Sequence, residues 1–377
     1  MQPLYEVAGV LNAHWPAVQR LELNRWQLRT LHAVRRCRTA ALGAHVDGCT
    51  SCGHLRLSYN SCRNRHCPKC QGNQREKWIQ AREQELLPVP YFHVVFTLPD
   101  TLNRLCLHKG KEVYNILFQT AWGVLNTFGH DPRWLGAQTG MISILHTWGQ
   151  TLTMHPHLHC IVPGGGITKQ GKWKTARSDG KYLFNVKAMS KVFRGRFMAL
   201  LKEKLPAQMD PGFIKELYKT DWVVYAKRPF GGPESVVEYL GRYTHKIAIS
   251  NHRIKNIEAG KVSFSYKDYR QAAVKKETTL EASEFIRRFA MHILPKGFVR
   301  IRHYGILSST SKAACTAVIK KQLPPVQNNA KLSKEMYNPL QCPCCKKETM
   351  QTLLRFNRRG PPADWENMAK KILECLV

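Results

Sequence analysis

Acidic residues are scarce in this chain: 26 Asp and Glu stand against 58 Lys and Arg in 377 residues, a formal net charge of +32. The surplus is spread along most of the sequence and not gathered in one tail, which points to a polyanionic partner. Long apolar runs are missing too. No stretch approaches the ~20 residues of a membrane-spanning helix, and no basic amphipathic helix stands apart, so a membrane partner is the weaker reading. The start, Met1-Gln-Pro-Leu-Tyr-Glu-Val, lacks the positive charge and apolar core of a secretory signal, and a cytoplasmic location is expected. No internal repeat and no low-complexity block occurs. Disulfides are rare in a reducing compartment, so 13 cysteines require metal or burial as their explanation, and their clustering favours metal.

What is present divides the chain into four expected segments. Residues 1–90 read as a small helical and zinc-binding domain: apolar Val18, Leu21, Leu28, Leu31 and Val34 recur at helical spacing among arginines from Pro16 to Leu42, and a polar helix spans Gln71 to Leu87. Residues 91–255 show short strand-like runs at Phe92 to Leu98, Met141 to Trp148, His155 to Val162 and Trp222 to Ala226. Helical stretches around Val113 to Phe128 and Val186 to Leu205 separate them, giving an α+β sheet domain. Residues 256–322 continue it with a strand at Lys261 to Tyr266, a helix at Glu281 to His292 and a basic run at Phe298 to Tyr304; residues 323–377 read as a linker and a cysteine-containing tail.

Cys49-Thr-Ser-Cys52 and Cys67-Pro-Lys-Cys70 are two Cys-x-x-Cys pairs. Each tight turn offers two thiolates, and the two turns together are expected to complete one tetrahedral structural zinc site, with Cys62 and His66 as alternates. Arg63 and Arg65 lie inside the same stretch and place it against a phosphate backbone. The pair Cys342 and Cys345 in the tail is a half-site at most.

The strand Met154-His-Pro-His-Leu-His-Cys-Ile-Val162 puts His155, His157 and His159 on one face, since alternate strand residues share a side. Two imidazoles so placed can bind one divalent ion. About eighty residues on, Tyr239-Leu-Gly-Arg-Tyr243 presents phenols at i and i+4, flanked by Arg242 and Lys246. A phenol of pKa near ~10 attacks phosphorus poorly unless the phosphate is made electrophilic, which a histidine-held cation can do.

His157-Leu-His159 followed by Tyr239-x-x-x-Tyr243 resembles the His-hydrophobic-His (HUH) endonuclease superfamily. The stretch Ser61-Cys-Arg-Asn-Arg-His-Cys-Pro-Lys-Cys-Gln71, Val94-Val-Phe-Thr-Leu-Pro99, Thr147-Trp-Gly-Gln-Thr151, Leu294-Pro-Lys-Gly-Phe298 and Arg302-His-Tyr-Gly305 resemble one branch of it, the two-tyrosine rolling-circle transposases of bacterial insertion sequences. The resemblance runs from about residue 10 to residue 310. It implies an antiparallel sheet with flanking helices, Mg²⁺ or Mn²⁺ held by His157 and His159, and a third ligand from nearby, for which Gln150 is the choice and His146 and His155 the competitors. It further implies that Tyr239 and Tyr243 are nucleophiles, each able to cut one DNA strand and keep its 5′ phosphate. No Gly-x-x-x-x-Gly-Lys-Ser/Thr motif is present, and no nucleotide cofactor is expected. The partner would be single-stranded DNA and element ends in a bacterial, nucleoid-associated setting, with basic and aromatic contacts from residues 255 to 310, Arg270, Arg287 and Arg302 among them. A conjugative relaxase or plasmid replication initiator would use the same parts. A zinc-dependent DNA-binding regulator would use the histidines and tyrosines only as structure.

Overall fold

The computed structural model describes residues 3–70, 86–176, 183–227, 236, 247–323 and 338–376, with the side chain of Arg270 excepted. Its strands are β1 (Ala44–Cys49), β2 (Leu55–Tyr59), β3 (Tyr91–Thr97), β4 (Gly140–Trp148), β5 (Met154–Pro163), β6 (Gly165–Ile167), β7 (Trp173–Thr175), β8 (Val223–Lys227), β9 (Ile254–Glu258), β10 (Lys261–Asp268), β11 (Val274–Glu281), β12 (Ile301–Gly305) and β13 (Met350–Phe356). Every pairing among these strands is antiparallel, and helices accompany each larger sheet, so the fold is α+β as the sequence suggests.

The chain divides into two compact units. The first joins three remote segments, Met1–Glu76, Ile249–Ala290 and Asn329–Val377; the second comprises Lys77–Ala248 and Met291–Asn328. This cuts the chain differently from the four consecutive segments expected above. The tail is no appendage, because β13 pairs along the whole of β1. Nor do residues 256–322 stay together: those up to Ala290 belong to the first unit, where Gln27 reaches the Ala290 carbonyl at 3.0 Å, and those from Met291 belong to the second.

In the first unit the basic helix breaks in two, at Trp15–Gln19 and Arg25–Arg35. Asn24 is the reason. Its side chain accepts from the Gln27 amide at 2.9 Å while Gln27 reaches back to the Asn24 amide at 3.0 Å, a capping box that starts a new helix. The stretch between that helix and Cys70 holds β1 and β2, and β13 completes a sheet of order β13-β1-β2. A second sheet runs β11-β10-β9, with Phe264 packed edge-on against Phe285 of the helix Ala282–Met291.

The second unit is built on a five-stranded sheet of order β12-β4-β5-β3-β8. One face carries Val94, Phe96, Met141, Leu145, Leu158, Cys160 and Val224 into a large core with the helices Gly110–His130 and Val186–Lys204. The opposite face carries Tyr91, Ile142, Ile144 and Ile161 into a smaller cluster. Alternation along each strand therefore fixes which residues share the second face. At the end of β12, Gly305 sits at φ +58°, where a Cβ would strike the Thr139 carbonyl and the Trp122 ring, so the glycine of Arg302-His-Tyr-Gly305 is required by close packing.

Candidate metal centres

On the smaller-core face of the second unit, three neighbouring strands bring four imidazoles together. His157 and His159 of β5 stand beside His146 of β4, since β4 and β5 pair His146 with His157 and Ile144 with His159. The ligating atoms of His146, His157 and His159 all lie within 4.8 Å of one another. His157 Nδ1 donates to the His155 carbonyl at 2.7 Å, so in the neutral ring the lone pair lies on Nε2. That Nε2 lies 3.1 Å from Nε2 of His159. Two nitrogens bound to one divalent ion at ~2.1 Å sit about 3.0–3.4 Å apart, so the spacing fits adjacent ligands of a single cation. His159 Nδ1 in turn lies 2.9 Å from Nε2 of His93 on β3, and the two rings stack at 5.1 Å between centroids. With its proton on Nδ1, directed at His93, His159 offers Nε2 to a metal.

The sequence ranked Gln150 ahead of His146 as third ligand. The structure brings His146 into the ring of imidazoles and places Gln150 in the turn after β4. His155 is not part of that group, although its ring lies 5.1 Å from that of His157, and burial pulls its pKa down. His93 was missed. Its signal was available in Tyr91-Phe-His-Val-Val-Phe-Thr97: one polar ring on the strand face that otherwise holds Tyr91 and Val95. His292, whose ring meets that of Trp148, is fully buried and pushed down to about 4, because desolvation disfavours its cation. Its Nε2 donates to the Leu152 carbonyl and its Nδ1 accepts from Thr147, each at 3.1 Å.

The cysteines form two clusters, not the single one expected from Cys49, Cys52, Cys67 and Cys70. Cys67 and Cys70 join Cys37 and Cys62, whereas Cys49 and Cys52 join Cys342 and Cys345. The alternate Cys62 is thus a cluster member. Its partner Cys37 follows the helix Arg25–Arg35, outside any Cys-x-x-Cys, which hid it from a reading based on spacing. In the first cluster Cys70 Sγ lies 3.4 Å from Cys37 and 3.6 Å from Cys62. Hydrogen bonds from Cys62 and Cys67 hold the Cys37 thiol down to about 7. In the second, the Thr349 hydroxyl, 3.0 Å from Cys49, helps bring that thiol to about 6. Four thiols gathered around one point, as in each of these clusters, are a soft donor set of the kind that suits tetrahedral Zn²⁺.

The other predicted contacts divide. Tyr239, Tyr243, Arg242 and Lys246 lie outside the described residues. Arg63 is exposed, and Arg65 reaches His66 at 3.3 Å. Arg287 is bound to Glu284 through two hydrogen bonds of 2.6 and 2.9 Å. Arg302 stacks over Phe118, 4.1 Å from the ring centre, and donates to Asn115. Tyr304 stacks on Trp122 with 5.5 Å between centroids. Arg302 and Tyr304 thus pack inward, while Tyr269 is 66% exposed. No helix among the described residues is long and apolar enough to cross a membrane.

Comparison with known sequences gives two family matches. Residues 140–314 match the family described as "Putative transposase", and residues 10–98 match a transposase zinc-binding domain. The chain is 42% identical to "Putative transposase y4qJ" of Sinorhizobium fredii, over 96% of this chain and 98% of that one. It is 30% identical to the transposase for insertion sequence element IS801 of Pseudomonas savastanoi pv. phaseolicola, over 75% of this chain and 70% of that one. No solved structure matches significantly.

Proposed function

This chain belongs to the insertion-sequence transposase family that includes the IS801 enzyme, and on that premise we propose that it moves DNA by HUH-type, metal-dependent single-strand cleavage and strand transfer. His146, His157 and His159 hold the divalent cation, and His93 fixes the tautomer of His159. When bound, such an ion polarises a nonbridging oxygen of the scissile phosphate. Three imidazoles, with no carboxylate grouped beside them among the described residues, favour Mn²⁺ over the oxygen-seeking Mg²⁺.

The nucleophiles are Tyr239 and Tyr243. The phenolic oxygen gives up its proton and forms a bond to phosphorus, the bond from phosphorus to the 3′ oxygen breaks, and the 3′ oxygen takes up one proton and leaves as a hydroxyl. The ester energy stays in the 5′-phosphotyrosine, and a later 3′ hydroxyl attacks that link to rejoin a strand, so no ATP is consumed. Two tyrosines allow two ends to be held at once. The observation that carries the reading is the imidazole ring itself, on the same sheet face where Val236, three residues before Tyr239, packs with Ile142, Ile144 and Ile161. Rolling-circle use of single-stranded element ends follows from this chemistry.

The test is incubation of the full chain with Mn²⁺ and labelled single-stranded oligonucleotides carrying element ends. A denaturation-resistant protein–DNA adduct is expected, weakened in Tyr239→Phe or Tyr243→Phe and absent in the double variant. An adduct that persists in the double variant would sink the tyrosine assignment. One that forms equally well in His157→Ala plus His159→Ala would sink the metal assignment.

A further inference from the structure

We propose that Cys49, Cys52, Cys342 and Cys345 bind a second structural Zn²⁺ that fastens the carboxy-terminal tail to strand β1, so that each chain holds two zinc ions. The site is independent of the DNA-cutting chemistry, and its ligands come from positions nearly three hundred residues apart.

Three observations carry it. The first is distance. The four sulfurs lie within 4.8 Å of one another, with Cys49 to Cys345 and Cys52 to Cys342 both at 3.6 Å. A disulfide needs about 2.05 Å, while four sulfurs bound to zinc at ~2.3 Å sit about 3.8 Å apart.

The second is that the two Cys-x-x-Cys turns have the same backbone. Cys49 N–H donates to the His54 carbonyl at 2.9 Å, and Cys342 N–H donates to the Lys347 carbonyl at 2.8 Å, five residues on in each case. The return bond also matches: Gly53 N–H reaches the Cys49 carbonyl and Lys346 N–H reaches the Cys342 carbonyl, both at 3.0 Å. The residue after each second cysteine takes positive φ, +72° for Gly53 and +64° for Lys346. That conformation is strained for lysine. Its repetition at Lys346 makes sense if the second turn is shaped to present two thiolates as the first one does.

The third is the surroundings. Cys49 and Cys342 are fully buried against Met350. Hydrogen bonds converge on the sulfurs, from the Thr349 hydroxyl to Cys49 at 3.0 Å and from the Cys344 amide to Cys342 at 3.4 Å. These donors stabilise thiolates, the form a metal binds. The site lies at one end of the β13-β1 pairing, where Cys49 faces Met350, so the ion closes that end of the sheet.

A consequence separates this site from the first cluster. Cys37, Cys62, Cys67 and Cys70 all fall within the 10–98 zinc-binding match, whereas Cys342 and Cys345 lie outside both family matches. The amino-terminal match therefore holds all the ligands of one ion and half the ligands of the other.

Thiol labelling of the zinc-loaded full chain, in reducing buffer, provides the test. Cys52, Cys344 and Cys375 are all exposed, but only Cys52 belongs to a cluster. Iodoacetamide should modify Cys344 and Cys375 promptly and leave Cys52 and Cys345 unmodified until a chelator is added. Elemental analysis should give two zinc per chain, falling to one in Cys342→Ser plus Cys345→Ser, and to one with Cys52 still protected in Cys62→Ser plus Cys70→Ser. Labelling of Cys52 as fast as Cys344 while zinc is present overturns the proposal, as does a content of one zinc that the tail substitutions leave unchanged. Should the serine variants not fold, Co²⁺ titration of the metal-free wild type decides: tetrathiolate absorption rising to two equivalents supports the second site, and saturation at one refutes it.

Discussion

Two sheets of the molecule, one in each unit, are held together by different means. The second unit packs Phe96, Phe118, Phe193, Phe197 and some thirty other apolar side chains into one cluster between sheet and helices. In the first unit, the sheet β13-β1-β2 ends on a small patch of Cys49, Cys342 and Met350, and its strand β2 is only half-buried. What a broad apolar core supplies to the five-stranded sheet, a sulfur cluster supplies at the end of β13-β1-β2, whereas the first unit's other sheet keeps apolar packing of its own around Phe264 and Phe285. The lesson is that one sheet can divide its faces unequally: the sheet that carries the histidines takes most of its packing from the opposite face, which leaves part of the histidine face to polar rings.

The largest expected break in that contrast comes from chelation. A structural zinc contributes on the order of 10 kcal/mol in small modules, so removing it should abolish amide-exchange protection in β1, β2 and β13 while β3, β4 and β5 stay protected. Equal loss in both units would refute the division. Next, Phe193→Ala removes a ring that packs against Phe96 and Trp222, and should cost about 3–5 kcal/mol in urea unfolding with zinc content unchanged. A loss under ~1 kcal/mol would show that the core is not what holds the second unit.

His93→Phe sharpens the comparison within the sheet. The ring and its stacking on His159 remain, but the nitrogen facing His159 is gone. Mn²⁺ affinity should fall about 10–100-fold with little change in stability, since groups that orient a metal ligand typically matter by that much. Titration followed by electron paramagnetic resonance measures it, and wild-type affinity would remove His93 from the site. The smallest effect belongs to Glu284, whose pKa is lowered to about 2 chiefly by the hydrogen bond from Arg287. A carboxylate with a depressed folded-state pKa adds stability above its ordinary value near ~4.5, and loses that contribution as pH falls from there toward about 2. The pair is partly solvated, so Glu284→Gln should cost no more than ~0.5 kcal/mol at neutral pH, and nothing at pH about 2. A cost that persists in acid would show that packing, not charge, is responsible.

Much of the fold was legible where local pattern and tertiary burial agree. The runs read as strands at Phe92, Met141, His155, Trp222 and Lys261 fall within a residue or two of β3, β4, β5, β8 and β10, because alternation of apolar side chains reports directly on a two-faced sheet. β1 and β2 gave no such signal, since a sheet end secured by sulfur does not need alternation. The break before Asn24 went unseen, because the apolar spacing continues through a cap that depends on two side chains.

By itself, the sequence determined the chemistry on offer: paired thiols in tight turns, imidazoles on alternate positions of a strand, and a basic chain suited to a polyanion. Those follow from local geometry, in which a spacing of two or three residues fixes where side chains point. Only the tertiary structure decided which groups meet. Cys49 could have joined Cys67 as readily as Cys345 by spacing alone, and the register of β1 against β13 made the choice. His146 and His93 likewise entered the histidine site through the pairing of β4 and β3 with β5, a long-range contact that no short stretch of chain can encode.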